Sequence, residues 1–253
     1  MQKPLKLIVR DIIDNLSGST FKNSEPYSEE TKIFFEERYV RVLSLLPKIK
    51  AGSVGLDVGL WGGILAFLLT KVFLLEKLYA LEHPTTCRLF TKSYLRRLQE
   101  NNIVPTPVDL RLGKFPWHSE FFDFVIFSEV MEHLVPADIP PVIREIRRVL
   151  KRNAWFFVST PNISSLLKRI NLVLGKNPVE FDLNLHEGAT YGHIREYTMS
   201  ELIDILKDAG FEVEKKSYFM IDTKRNIFTR IEAVSSRIFP SLANSIGLIA
   251  RKV

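Results

Sequence analysis

The stretch GLDVGLWGGILAF, residues Gly55 to Phe67, decides how the chain is read. It begins inside a short apolar run, Val54–Val58, that suits a strand buried on both faces. A helical pattern follows from Gly63 to Leu75. A strand that leaves through a glycine-rich turn into a helix is where an open parallel sheet holds a nucleotide-like ligand. Gly59 allows the sharp exit. Gly62 and Gly63 let backbone approach a ligand, or let the helix lie close to the sheet. Trp61 stands in the middle of the turn, where the smallest residue is expected. A second acid, Glu82, ends the next apolar run, Leu78–Leu81, and is placed to accept both hydroxyls of a ribose.

Outward from this turn the chain alternates. Its patterns predict a helix over Thr85–Glu100, strands at Pro107–Arg111 and Phe122–Phe127, a helix over Asp138–Leu150 and a strand at Ala154–Ser159. Such alternation predicts a doubly wound α/β sheet. Upstream, Ile33, Phe34, Tyr39, Val42, Leu45 and Leu46 recur at helical spacing and predict a helix over Ser28–Leu46. Residues 1–26 read as a mixed, loosely packed segment, and 1–46 as an N-terminal helical cap on a domain of residues 47–253. Downstream, Thr198-Met199-Ser200-Glu201 is a capping box. Leu202, Ile205, Leu206 and Ala209 are the buried face of its helix, and Gly210 stops it. Phe211–Ile221 and Ile246–Val253 read as strands, with a helical middle at Ile227–Ile238. The stretch from Ser159 to Tyr197 has little strand character and reads as a lid inserted at about residues 160–197.

Composition narrows the classes. A chain of 253 residues, 46% hydrophobic, can bury a sizeable core. The formal charge of +6 permits a polyanionic partner, but the basic residues are scattered and form no continuous arm, so nucleic acid is not expected. Cys87 is the one cysteine, which excludes an intramolecular disulfide and a cysteine-based zinc site and fits a reducing cytoplasm. The opening MQKPLKLIVRDIID has no sustained apolar core, so no secretory signal is expected. The most apolar region, GILAFLLTKVFLLEKLYALE, is broken by Lys71, Glu76 and Lys77 and does not suit a membrane span.

Three later stretches sharpen the reading. FPWHSEFFDFVIFSEVMEHL (Phe115–Leu134), IREIRRVLKRNAWFFVSTPN (Ile143–Asn162) and GHIREYTMSELIDILKDAGFEV (Gly192–Val213) resemble the class I S-adenosylmethionine-dependent methyltransferases. The likeness runs from about Leu45 to Val253. The HIREYT lead-in and the long lid are similar to the branch that methylates small molecules, sugars, lipids or quinone precursors. The resemblance implies a Rossmann-like, seven-stranded, mostly parallel sheet with helices on both faces and its last strand antiparallel. It implies that Asp57 and Gly59, with Leu60, Trp61 and Gly63 of the same turn, line the methionine part of S-adenosylmethionine. Glu82 would bind the ribose, with His83 near the adenine. Asp109, beside Leu110, is placed like the acid that meets the adenine amino group. Ser128 and Glu129 would sit beside the sulfonium, and S-adenosylhomocysteine would be the product. The chain departs from the family where its central glycine is Trp61, whose side chain must turn away from the cofactor or cover it. It departs again at Lys151-Arg152-Asn153-Ala154, where Asn153 replaces a glycine and tolerates a left-handed backbone.

Methyl transfer from a sulfonium needs alignment and exclusion of water, and an oxygen acceptor also needs a base. The catalytic candidates are His193, in the lid with His186, and His133, expected to share a helix-start face with Glu129. His118 lies in a loop and takes no role. No tight ligand spacing shows a metal site, and none is expected. The lid segment ISSLLKRINLVLGK puts Ile163, Leu166, Leu167, Ile170 and Leu174 on one helical face with Lys168 and Arg169 opposite. That helix either packs over the site or meets a membrane surface through residues 163–174. Three functions remain open. One is methyl transfer to a small-molecule acceptor (sugar, lipid-linked or quinone-like), by O-methylation. The second is a non-catalytic binding or scaffold protein of the same fold, motivated by Trp61. The third is RNA methylation, motivated by the positive charge. A nicotinamide dehydrogenase is disfavoured because Gly-x-Gly-x-x-Gly is absent.

Overall fold

The computed structural model describes residues 4–22, 24–179, 192–221 and 226–253. Its seven strands are β1 (Val54–Val58), β2 (Lys77–Glu82), β3 (Ile103–Pro107), β4 (Phe122–Ser128), β5 (Leu150–Pro161), β6 (Phe211–Phe219) and β7 (Ser245–Lys252). They form one sheet in the order β3-β2-β1-β4-β5-β7-β6. The chain divides into two compact units, residues 1–112 with 122–126, and residues 113–121 with 127–253.

In the first unit, β1 pairs in parallel with β2 and with β4, with Asp57 opposite both Ala80 and Ile126. Gly55 is required here, because a Cβ would sit 2.1 Å from the Phe124 ring. Helix α1 (Leu5–Leu16) corrects the expectation of a loosely packed N-terminal segment. Val9, Ile12, Ile13 and Leu16 recur on one face and are buried. Helix α2 (Glu29–Leu45) starts at Ser28, whose side chain accepts from the Thr31 amide. Helix α3 is Ile64–Phe73. The helix expected over Thr85–Glu100 is two, α4 (Pro84–Cys87) and α5 (Lys92–Glu100). The break falls where Phe90 pairs with Phe21, and Thr91 then caps α5 by accepting from the Tyr94 amide. The strand expected at Pro107–Arg111 lies instead at Ile103–Pro107. Pro105 and Pro107 obscure it in the sequence, yet an edge strand with a partner on one side tolerates them.

The second unit carries α6 (Ile139–Val149), α7 (Leu166–Val173), α8 (Met199–Asp208) and α9 (Ile227–Ile238). The capping box at Thr198 and Glu201 is formed in both directions. Strand β7 runs antiparallel to both β5 and β6, as the family resemblance implies. Strand β5 is longer than expected and contains Asn153 at φ 59°, the left-handed position expected of it. Of the lid, α7 and residues from Gly192 onward are described, whereas His186 lies outside the described residues. Among the described residues no helix is long and apolar enough to cross a membrane.

Candidate functional site

The turn after β1 is built around Glu82. The Gly59 and Leu60 amides both donate to the Leu81 carbonyl, at 3.0 and 2.9 Å, so the chain reverses against the end of β2. Gly59 (φ 102°), Trp61 (φ 43°) and Gly63 (φ 76°) all stand in the left-handed region. For a tryptophan that conformation is strained. It aims the Trp61 amide at Glu82 Oε2, 2.6 Å away, while the His83 amide donates to Oε1 at 2.7 Å. The indole turns the other way, its ring 5.6 Å from that of Phe21, which stacks on Phe90 at the same distance. Trp61 is 44% exposed. The Leu60 side chain is buried in the core, and its backbone forms part of the turn.

Asp57 is fully buried beside this turn, and burial first, then the charge of Glu82, pushes its carboxyl up to about 8. Burial also raises Glu82, against the opposing pull of the His83 and Trp61 amides. Tyr94 is a residue that sequence reasoning missed. Its buried hydroxyl lies against Gly63, where a Cβ would come within 2.2 Å of the oxygen, and it has no hydrogen-bond partner among the described residues. Burial, followed by the charges of Glu82, Tyr27 and Asp57, holds that phenol far above its ordinary range. Asp109 is gripped by Arg111 through both carboxylate oxygens, which lowers it to about 2, and His83 Nε2 lies 3.6 Å from Oδ2. Leu110 opens the single 3-10 turn that follows.

The turn after β4 is held by serines. Ser159 Oγ donates to Glu129 Oε1 at 2.8 Å, and the Glu129 amide donates to the Ser159 carbonyl at 2.9 Å. Ser159 has one proton to give, so Ser128 Oγ, 2.8 Å away, donates to Ser159 Oγ. Glu129 stands at φ 56°, and His133 closes the separate 3-10 turn Met131–His133. The two therefore share no helix face, contrary to expectation. His133 instead lies with His193, the ring centroids 5.2 Å apart. His133 Nδ1 donates to the Gly192 carbonyl at 3.2 Å, and His193 Nδ1 donates to Glu196 Oε1 at 2.9 Å. Burial works to raise Glu196, but the His193 hydrogen bond and Lys168 hold its carboxyl below the ordinary range. Glu132, buried, accepts from Thr160 Oγ1 at 3.0 Å. The side-chain donor atoms of Glu132, His133 and His193 lie within 4.8 Å of one another. A carboxylate therefore does converge on the histidines, which corrects the expectation of no metal-type cluster. His118 packs on Phe121, ring centroids 5.0 Å apart.

A largely parallel sheet with a glycine turn after its first strand, an acid closing the second and an antiparallel strand inserted before the sixth defines the methyltransferase class of Rossmann-like folds. A family model described as a methyltransferase domain matches residues 34–216, and the chain belongs to that family. A Mycolicibacterium smegmatis protein named as a probable S-adenosylmethionine-dependent methyltransferase is 36% identical over 110 residues, covering 42% of this chain. The match spans only 36% of that relative's length. A SAM-dependent methyltransferase from Archaeoglobus fulgidus superposes with a TM-score of 0.57 at 18% identity, over 86% of this chain and 94% of its own. Phosphoethanolamine N-methyltransferase 2 of Haemonchus contortus, solved with S-adenosyl-L-methionine, gives 0.56 at 15% identity, over 85% and 52%. At these identities the structural likenesses speak for the fold.

Proposed function

We propose that the protein is an S-adenosylmethionine-dependent methyltransferase that O-methylates a small-molecule acceptor. The observation that carries this reading is the β1–β2 end of the sheet. There Glu82 is held by two backbone amides, Asp57 is buried with no ion pair among the described residues, and the Tyr94 hydroxyl is buried with no hydrogen-bond partner among them. A buried polar atom left unsatisfied is costly and marks a place where a polar ligand belongs. These residues fit the cofactor. Glu82 accepts from the Trp61 and His83 amides and from the Thr86 side chain, which leaves a lone pair for a ribose hydroxyl, Tyr94 can donate to a carboxylate, and the outward indole of Trp61 leaves its amide on the inner side. His83 and Asp109 would serve the adenine edge. Once bound, S-adenosylmethionine supplies an activated methyl group on its sulfonium. On the acceptor side, Ser128 and Glu129 orient, and the Nε2 lone pairs of His133 and His193 receive the polarity of the acceptor hydroxyl and its departing proton.

Calorimetric titration with S-adenosylmethionine and S-adenosylhomocysteine, wild type beside Glu82→Ala, tests the reading. Saturable binding that the substitution abolishes is expected. No binding to wild type at millimolar ligand would overturn it in favour of the scaffold reading, and methylation of RNA but of no small molecule would replace the acceptor class.

A second observation points to a lipid-linked or apolar acceptor met at a bilayer. Helices α7 and α9 pack together, and Leu172, Val173, Ile227, Phe228, Ile231 and Ile238 stand exposed on them, Val173 at 86%. The charges exposed with them are Arg169, Lys176, Arg230 and Arg237, while the acid of α9, Glu232, is buried and accepts from the Leu167 amide. An apolar face ringed by cations suits an anionic lipid surface. Sedimentation with phosphatidylglycerol-containing vesicles should carry the protein down, and Val173→Asp with Ile231→Asp should release it. Equal sedimentation of the variant, or none of the wild type, would overturn this reading.

A further inference from the structure

We infer that Glu132, His133 and His193 form a binding site for one divalent transition-metal ion. Two imidazoles and one carboxylate are a donor set that such ions favour over magnesium or calcium. His133 Nε2 already lies 4.0 Å from Glu132 Oε1, and one donor atom from each of the three residues falls within 4.8 Å of the others. Around an ion with bonds of about 2.0–2.2 Å, neighbouring ligand atoms are separated by roughly 3–3.5 Å. Closing the gap takes side-chain shifts of about 1 Å.

The orientation of the rings carries the inference further. A backbone carbonyl can only accept, so His133 Nδ1 carries its proton and donates it to Gly192. His193 Nδ1 likewise donates to the carboxylate of Glu196. In the neutral form that a metal ligand takes, each ring therefore has its lone pair at Nε2, and both have the Nδ1 anchor, one to a carbonyl and one to a carboxylate, that orients metal-bound histidines. Glu132 shows the same preparation. It is 1% exposed, and Thr160 fixes Oε2 while Oε1 is the oxygen nearest His133. The main chain joins the three residues as well. The carbonyl of Glu132 accepts from the amides of Ile194 and Arg195, at 2.7 and 3.2 Å, and so holds the segment that delivers His193.

The two histidines are partly exposed, their side chains at 32% and 29%, so the ion would keep coordination positions open on that side. Resting on the methyltransferase reading, those positions would take oxygen atoms of the acceptor. With the ion bound, Nε2 of both rings is a ligand and no longer a base. The ion then takes over activation, since a hydroxyl bound to a divalent ion gives up its proton far more readily than a free one, here to solvent water on the open side. The acceptor would then present two adjacent oxygens, as a vicinal diol or catechol does.

The test uses the full chain without an affinity tag, stripped with a chelator and titrated with Co2+ and with Zn2+ in the absence of S-adenosylmethionine. One equivalent should bind, with visible ligand-field bands for Co2+. His133→Ala and His193→Ala should each weaken binding by about 100-fold, and Glu196→Gln by about 10-fold, as loss of a ligand and of an outer anchor do. His118→Ala should bind like wild type. Should a ligand variant fail to fold, the Co2+-loaded wild type decides. Its proton NMR spectrum should show two exchangeable, strongly shifted signals, from Nδ1–H of His133 and His193. Binding below one equivalent, binding indifferent to both histidine substitutions, or the absence of the two shifted signals would overturn the site. Because no cofactor enters these titrations, a failure of the methyltransferase reading would leave them standing, and the reverse.

Discussion

Asp57 in one unit, with the half-buried Glu82 beside it, and Glu196 in the other are buried acids, and they are held in opposite ways. Glu82 is gripped by the neutral amides of Trp61 and His83, and beside it Asp57 is raised to about 8 by burial and by Glu82 itself. Glu196 is equally cut off from water, yet Lys168 and His193 grip it and keep it ionised. Burying a charge is expensive, and the two places answer that cost differently. Around Glu196 the compensation comes from inside the chain, which is what a group that positions another side chain requires. Around Asp57 and Glu82 it is left incomplete, which is what a group that awaits a ligand requires.

The comparison can be broken most decisively at Lys168. Lys168→Met would leave Glu196 buried with the Nδ1–H of His193 as its remaining partner among the described residues, at a cost of about 2–3 kcal/mol. Thermal denaturation should show a midpoint about 5–10 °C lower. A variant as stable as wild type would mean that Glu196 is not sustained by its lysine. The complementary change is Asp57→Asn. An acid whose native pKa is raised contributes stability that is fully present below its unfolded value of 3.8 and is lost as pH rises toward about 8. The wild type should therefore fall behind the asparagine variant progressively across that interval. The two melting curves should coincide at the acid end and stand several degrees apart at the alkaline end, at about 2–4 °C per kcal/mol. A difference independent of pH would remove Asp57 from this account.

A finer test separates folding from binding. Tyr94→Phe deletes a hydroxyl that finds no partner among the described residues, so the free protein should be as stable as wild type or up to about 1 kcal/mol more stable. S-adenosylmethionine affinity should nevertheless fall by about 5–10-fold, because the hydroxyl's hydrogen bond is made only with ligand present. Loss of stability together with unchanged affinity would make Tyr94 an ordinary core residue. The smallest effect is expected of Trp61→Gly. Relief of the left-handed strain, about 1 kcal/mol, is offset by the lost contact with Phe21, about 0.5–1.5 kcal/mol. Calorimetry should find affinity within about threefold of wild type, since the amide that reaches Glu82 belongs to the backbone. A large loss would place the indole itself on the ligand.

How much of this was legible in the sequence depended on how local each signal was. Strand β1 and helix α9 have the bounds expected of them, and the capping box at Thr198 is formed as read, because each is written within one short window. Strand β3 was displaced because its prolines speak against a strand unless its place at the sheet edge is known. Helix α1 was missed although Val9, Ile12, Ile13 and Leu16 have helical spacing, since the polar run Ser17-Gly18-Ser19-Thr20 that follows it made the whole segment read as loosely packed. In the candidate site, Asp57 and Glu82 were visible because they close consecutive strands. Tyr94 was not, because only the packing of α5 against the Gly63 turn brings its hydroxyl there. The convergence of Glu132 and His133 on His193 was invisible for the same reason, as the partners are brought together by main-chain bonds between distant segments.

The insertion of β7 between β5 and β6 has a consequence for the order of assembly. Trp155 pairs with Arg251, and Phe211 with Lys252, so the interior of this half of the sheet is supplied by residues made long after β5 has emerged from the ribosome. Until Ser245–Lys252 arrive, β5 has an open edge on that side and β6 has no β7 to join, and pairings that distant in sequence form slowly. Both edges are then templates for wrong partners. A nascent chain stalled ahead of Ser245 should accordingly bind chaperones and aggregate, whereas one that has cleared Lys252 should resist protease.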